Sequence, residues 1–200
     1  SLRYVGFQVF LGLRTELASK YALAENHEYN SEQFLIANGR AACIDLICDA
    51  FIEPGDIVLV EGATFSGSNR TILGHQSEMI QIPLDDYGIQ MDEIIRIVRK
   101  LQNQGKRIKM LYTVCDFQNP TGTVLSAARR SELIDFCRSH QILILEDSAY
   151  SDIYFASPPP PSLFSLARGY GVLRVGTFSK IIATGLRIGW IQGHRDFINV

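Results

Sequence analysis

Apolar residues along this chain fall into two alternating patterns. In one, they recur three and four positions apart, the period of a single helix face. In the other, β-branched and apolar residues form short unbroken runs, as in strands covered on both faces. Residues 8–23 place Phe10, Leu13, Leu17 and Tyr21 at helical spacing and predict a helix. Phe34-Leu35-Ile36 reads as a short strand, closed by the Asn38-Gly39 turn signal. Residues 41–52 are apolar nearly all round, which predicts a helix buried on most of its surface. Pro54-Gly55-Asp56 is a turn, and Ile57-Val58-Leu59-Val60 is a buried strand.

The alternation then repeats. A short helix is predicted over 66–74, a strand over 79–82, and an amphipathic helix over 91–103 with Met91, Ile94, Val98 and Leu101 on its apolar face. Lys109 to Val114 reads as a strand, and residues 126–140 as a helix with Ser126 as its N-cap. Ile142-Leu143-Ile144-Leu145 is the strongest strand signal. The prolines from Pro158 to Pro161 form an extended connector. Two last strands fall at 172–175 and 188–191. Strands alternating with helices predict an α/β fold: three αβα layers around a mostly parallel sheet. In such sheets ligands sit outside the carboxyl ends of the strands, and the polar motifs of this chain follow its strands.

Composition narrows the function classes. The chain has 200 residues and a net charge of −2, so bulk charge suggests neither nucleic acid nor an anionic membrane as a partner. The N-terminal stretch is interrupted by Arg3, Arg14 and Glu16 and lacks the layout of a signal peptide. Cys43, Cys48, Cys115 and Cys137 form no C-x-x-C pair and sit in apolar contexts, so reduced core thiols in the cytoplasm are expected. The four histidines are scattered and read as surface or loop residues, and no metal site is expected.

Candidate chemistry concentrates in Thr177-Phe178-Ser179-Lys180 and in Arg187 seven residues further on. A lysine between two hydroxyls and near an arginine can hold a phosphate beside a reactive amine. Pyridoxal phosphate carries both an aldehyde for the amine and a phosphate for the hydroxyls and the guanidinium. Asp147 follows the strongest strand and lies three residues before Tyr150. If a helical turn begins there, both fall on one face. The pair is then either an N-cap with a packing tyrosine, or a carboxylate for a pyridinium nitrogen and a hydroxyl for the phenolic oxygen of the ring. Asn119, in Asn-Pro-Thr-Gly, is either a turn residue or an amide donor to that same oxygen. Asn38-Gly39-Arg40-Ala41 is either a simple strand–helix turn or a helix N-terminus offering free N–H groups to a phosphate. Phe65 is either a core aromatic or a stacking face for a flat ring.

Five segments carry a family resemblance in order along nearly the whole chain: FLIANG, PGDIVLVEGATFSG, YTVCDFQNPTG, ILILEDSAYSDIYF and VGTFSKIIATGLRIGW. Together they resemble the class I/II aminotransferases among the fold-type I pyridoxal-phosphate enzymes, closest in wording to the aminoadipate and aromatic aminotransferase branch. That branch also includes the C-terminal domains of a class of bacterial regulators. The resemblance implies that residues 1–200 are the large cofactor-binding domain, with an N-terminal arm and a C-terminal small domain lying outside them. It implies pyridoxal 5′-phosphate as cofactor and Lys180 as the Schiff-base lysine and proton carrier. Asp147 would meet the ring nitrogen, Asn119 and Tyr150 the phenolic oxygen, and Phe65 the ring face. Thr177, Ser179, Arg187 and the backbone of Gly39, Arg40 and Ala41 would hold the phosphate. It further implies an amino acid and a 2-oxo acid as substrates and a homodimer as the assembly. The same scaffold hosts decarboxylation, elimination and carbon–carbon bond formation, and cofactor-binding sensor domains, so these stand as alternatives. The chain departs from the family at Arg40-Ala41-Ala42, where serine or alanine and then glutamines are usual. The Arg40 side chain there could reach a phosphate or point outward.

Overall fold

The computed structural model describes residues 10–198. In chain order its strands are β1 (Phe34–Ala37), β2 (Ile57–Glu61), β3 (Glu78–Ile82), β4 (Leu84–Asp85), β5 (Gly88–Ile89), β6 (Ile108–Thr113), β7 (Leu143–Asp147), β8 (Val172–Thr177) and β9 (Gly189–Gln192). Its helices are α1 (Leu11–Glu25), α2 (Gly39–Phe51), α3 (Ser66–Gly74), α4 (Met91–Asn103), α5 (Ala127–Ser139), α6 (Leu163–Leu166) and α7 (Arg195–Ile198). Seven strands form one sheet in the order β1-β9-β8-β7-β6-β2-β3, and β4 with β5 makes a separate hairpin.

Strand direction positions the functional residues. β3, β2, β6, β7 and β8 pair in parallel, β9 runs antiparallel to β8, and β1 runs antiparallel to β9. β1 therefore points the same way as β8, and among the described residues β9 is the one reversed strand of this sheet. The loops after β1, β2, β6, β7 and β8 consequently open on one edge. The segment entering β9 opens there too, because that strand starts where its neighbours end.

Side-chain alternation in the central strands feeds two cores. Leu59, Leu111 and Ile144 point to the face covered by α4, α5 and α6, where Ile94, Val98, Leu133 and Leu163 are buried. Val58, Val60, Met110, Tyr112, Leu145 and Val175 point to the other face and meet Cys43, Ile44 and Ile47 of α2 and Ile72 of α3. Burying one such aliphatic side chain contributes about 1.5–3 kcal/mol. A smaller cluster packs Leu17, Ala18 and Tyr21 of α1 on Phe34, Ile36 and Trp190 at the sheet edge.

The predicted elements recur with shifted ends and three corrections. The first helix begins at Leu11; residues 8 and 9 of the predicted span lie outside the described residues, as do Arg3 and the start of the N-terminal stretch. Phe10 is the N-cap and is 61% exposed, so it does not join the apolar face. α2 buries one stripe (Gly39, Cys43, Ile44, Ile47 and Cys48) and exposes Asp45, Leu46, Asp49 and Ala50, so it is not buried all round. One sheet covers only one side of a helix, and its outward apolar residues here are small or stand alone. No helical turn begins at Asp147: that residue ends β7, and residues 149–152 form bends and turns.

The hairpin and the short helices α6 and α7 carry too few residues for a periodic signal. Ser162 nonetheless caps α6 by accepting the Ser165 N–H at 3.0 Å. The four cysteines are free and buried. Among the described residues no helix is long and apolar enough to cross a membrane, and no cluster of His, Cys, Asp or Glu is placed to hold a metal ion.

Candidate active site

Asp147 is the anchor of the site. The carboxyl end of β7 places its side chain in the interior, where it is 1% exposed. A buried carboxylate needs partners, and it has three. The Tyr112 hydroxyl donates to Oδ2 at 2.6 Å, the Ala149 N–H approaches Oδ1 at 3.3 Å, and the Arg40 guanidinium donates to Oδ2. Burial, the largest single influence, would lower the pKa of Arg40, but the charge and hydrogen bond of Asp147, together with Tyr112 and Tyr150, outweigh it and move the pKa up. The Arg40 side chain thus takes neither of the positions left open by its sequence. It turns inward onto Asp147 with its Cζ 5.3 Å from the Phe65 ring centroid. Phe65 itself precedes α3 and is 40% exposed, which removes the core-aromatic reading.

On the neighbouring loop after β6, Asn119 Nδ2 donates to the Tyr150 hydroxyl at 3.1 Å. The Tyr150 ring centroid lies 6.0 Å from Lys180 Nζ. Past β8, Thr177 Oγ1 accepts the Ser179 N–H at 3.1 Å and lies 3.1 Å from the Ser179 hydroxyl, which folds the chain so that Lys180 follows in an exposed turn. Arg187 has a left-handed backbone (φ 51) and stands just before reversed β9. Its guanidinium packs on Gly39, where a Cβ would lie 3.1 Å from Nη2. Gly39, at φ 82, opens α2 with a bare backbone at that point. Ala41 lies exposed in the first turn of α2. All the residues singled out from the sequence therefore stand on one sheet edge. Two contact groups are evident, Arg40–Asp147–Phe65 and Asn119–Tyr150–Lys180, along with the Thr177–Ser179 hydroxyl pair after β8 and the Arg187 guanidinium on Gly39 at the start of α2.

Sequence reasoning missed the supports beneath them. Tyr112 lies in an apolar strand run; its hydroxyl also sits 2.8 Å from the Ser68 hydroxyl, and burial followed by the Asp147 charge pushes its pKa well up. A tyrosine inside a buried strand is the available signal, since its hydroxyl must find a partner. Glu61, buried at the end of β2, accepts hydrogen bonds from the Thr113 hydroxyl, the Val114 N–H at 3.0 Å and Gln118 Nε2 at 2.9 Å. Burial, only partly offset by these bonds, pushes its pKa up to about 7. Gln118 also donates to the Ala63 carbonyl, so it ties the Phe65 loop to the Asn119 loop. Asp116 accepts from the buried Arg130 guanidinium and from the Ser151 hydroxyl at 2.6 Å, which joins the Asn119 loop to the Tyr150 loop. A groove of about 680 Å³, lined by Phe51, Lys109, Ile142 and Phe197 among others, lies at the opposite edge and shares none of these residues.

The family model for aminotransferase class I and II matches residues 1–200. The chain belongs to the class I and II aminotransferases. It is 32% identical over 198 residues, 99% of its length, to an aromatic-amino-acid aminotransferase of Thermococcus litoralis, of which it covers 48%. A Bacillus subtilis relative described as an uncharacterized HTH-type transcriptional regulator is 32% identical over 82% of this chain, which covers 33% of that protein. The structure of Pyrococcus horikoshii kynurenine aminotransferase, in complex with PMP, superposes with a TM-score of 0.93 at 32% identity, covering 99% of this chain and 49% of that one. The chain thus spans about half the length of the Thermococcus and Pyrococcus aminotransferases it matches.

Pyridoxal 5′-phosphate is the cofactor that membership of the aminotransferases implies. The donor set fits it: a lysine amine, a buried carboxylate, a paired amide and phenol, and a cluster of two hydroxyls and a guanidinium. The cradle fits as well, because a side chain at Gly39 would crowd Arg187 at the start of a helix whose N–H groups favour an anion.

Proposed function

We propose that the protein carrying this chain transfers an amino group between an amino acid and a 2-oxo acid, with residues 1–200 as its large cofactor-binding domain. The observation that supports this most strongly is the gathering of Lys180, Asp147, the Asn119–Tyr150 pair and the Thr177, Ser179 and Arg187 cluster on one sheet edge. When bound, pyridoxal 5′-phosphate supplies an electrophilic carbon and an electron-withdrawing ring.

The chain's own residues do the rest. Lys180 Nζ would be the nucleophile that holds the cofactor covalently and, as a free neutral amine, would remove the proton from the substrate Cα. Asp147 keeps a proton on the ring nitrogen, because a buried carboxylate stabilises a cation beside it. Asn119 Nδ2 and the Tyr150 hydroxyl donate to the phenolic oxygen, and Phe65 offers its face to the ring. Thr177, Ser179 and Arg187, with the backbone N–H groups of Gly39, Arg40 and Ala41, hold the phosphate and orient the ring for proton transfer.

A homodimer is the assembly that fits. The loops carrying the site leave large apolar side chains in the open, Phe155 wholly exposed and Ile182 at 66%, and a partner subunit would cover such residues. Four buried free thiols support a reducing, cytoplasmic setting. A second reading, a cofactor-binding sensor domain without turnover, is favoured by the regulator among the relatives.

Mixing the full-length protein with amino donors alone tests the proposal. Transamination leaves the cofactor in its amino form, seen as loss of the aldehyde absorbance and restored by a 2-oxo acid. Decarboxylation, elimination or a silent sensor gives no such reversible cycle. Lys180→Ala is expected to lose multiple turnover entirely, and retention of full turnover would refute the assignment.

A further inference from the structure

The Arg40 guanidinium lies at the meeting point of two groups the cofactor also needs. Its charged end bonds the Asp147 carboxylate, and its Cζ sits 5.3 Å from the Phe65 ring centroid. A guanidinium is flat and cationic, stacks on aromatic faces and pairs with carboxylates. A protonated pyridine ring is also flat and cationic, and the reading above gives it the same ring and the same carboxylate. Asp147 has little acceptor capacity to spare: Oδ2 takes both Tyr112 and Arg40, and Oδ1 takes the Ala149 N–H. The Asp147 side chain is wholly buried and that of Arg40 is 17% exposed, so the pair is shielded from screening by salt.

We propose that Arg40 is an internal competitor for the Asp147 carboxylate: the Arg40–Asp147 pair must open before a pyridinium ring can take its place, and Arg40 therefore sets how tightly and how fast the cofactor loads. This rests on the pyridoxal-phosphate reading of the site. It assigns opposite effects to two parts of one residue. The Arg40 backbone N–H, at the start of α2, favours the phosphate. The side chain of the same residue opposes the ring. The protonation of Arg40 is secure, because the charge and hydrogen bond of Asp147, with Tyr112 and Tyr150, together raise its pKa despite burial.

Apparent affinity falls by the fraction of molecules in the competent state. A pair closed about nine times in ten weakens cofactor binding about tenfold. The test is a titration of the cofactor-free full-length protein with pyridoxal 5′-phosphate, read by absorbance, for the parent, Arg40→Ala and Arg40→Gln. Both variants should bind about tenfold more tightly and load faster. Without cofactor they should melt below the parent, because Asp147 has lost a partner; once loaded, that gap should close. The glutamine variant keeps most of the side-chain length if the alanine variant folds poorly. Weaker binding in both variants would make the guanidinium a phosphate contact and overturn the proposal, as would unchanged affinity, loading rate and melting. A parent that takes up no cofactor would sink the cofactor reading itself, which separates that failure from a wrong sign at Arg40.

Discussion

Gly189 lies where β9 meets both β8 and the start of α2. A Cβ added there would stand 2.5 Å from the Gly39 carbonyl carbon, 2.7 Å from the Arg40 nitrogen and 3.0 Å from the Gly176 oxygen. Non-bonded carbons prefer about 3.5–4.0 Å, so the overlap is roughly 1 Å and involves backbone on both sides. No rotamer change relieves it; either α2 moves outward or β9 loses its register with β8. Overpacking costs about 1–3 kcal/mol, and a clash between backbones belongs at the upper end. For a domain of about 150–250 residues each kcal/mol moves Tm by about 2–4 °C, so Gly189→Ala should melt about 6–12 °C lower. Gly185→Ala is the control, since nothing lies within 4 Å of its Cβ position, and it should stay within about 0.5 kcal/mol of the parent. Circular dichroism on heating reads both variants. The backbone that must shift belongs to Gly39 and Arg40, so Gly189→Ala should also bind inorganic phosphate and cofactor more weakly than Gly185→Ala does. A Gly189→Ala protein melting within about 2 °C of the parent would refute this account of why a glycine stands there.

Two further predictions concern the supports. Tyr112→Phe removes a hydroxyl 2.6 Å from the Asp147 carboxylate and should lower stability by about 1.5–3 kcal/mol in urea unfolding, with no change in the denaturant slope. The Glu61 pKa is raised to about 7 by burial, so the folded state holds a proton that the unfolded chain releases nearer its ordinary value of 4.5. Stability from this group is therefore greatest below pH 4.5 and is lost as the pH rises towards about 7, by on the order of 3 kcal/mol. Glu61→Gln should flatten that part of the stability–pH curve, and an unchanged slope would count against the raised pKa.

Strand and helix periodicity made the layers legible, because the central strands are buried on both faces and α4 on one. The reading of 41–52 failed on the far side of the helix: apolar content alone does not say how many neighbours a helix has, and Leu46 and Ala50 face outward. The site residues were legible because each follows a strand or precedes one, and parallel pairing brings those ends together. What the sequence could not express was partnership. Arg40 is separated from Asp147 by 107 positions, and only the inward path of its side chain reveals the ion pair. Tyr112, Glu61 and Gln118 were hidden for the same reason: their roles depend on neighbours contributed by distant strands and loops.

The reversed direction of β9 leaves one stretch free to vary in length. Thr177 pairs with Gly189 across the β8–β9 ladder, so both ends of residues 178–188 are fastened at the same rung. Residues added or removed between Ile181 and Leu186, most of them exposed, would lengthen or shorten an outward loop without displacing either end. The hydroxyls and the guanidinium would keep their spacing while the rim beside the lysine changed shape. Divergence, natural or engineered, could therefore remodel what reaches the amine while leaving the grip on the anion untouched.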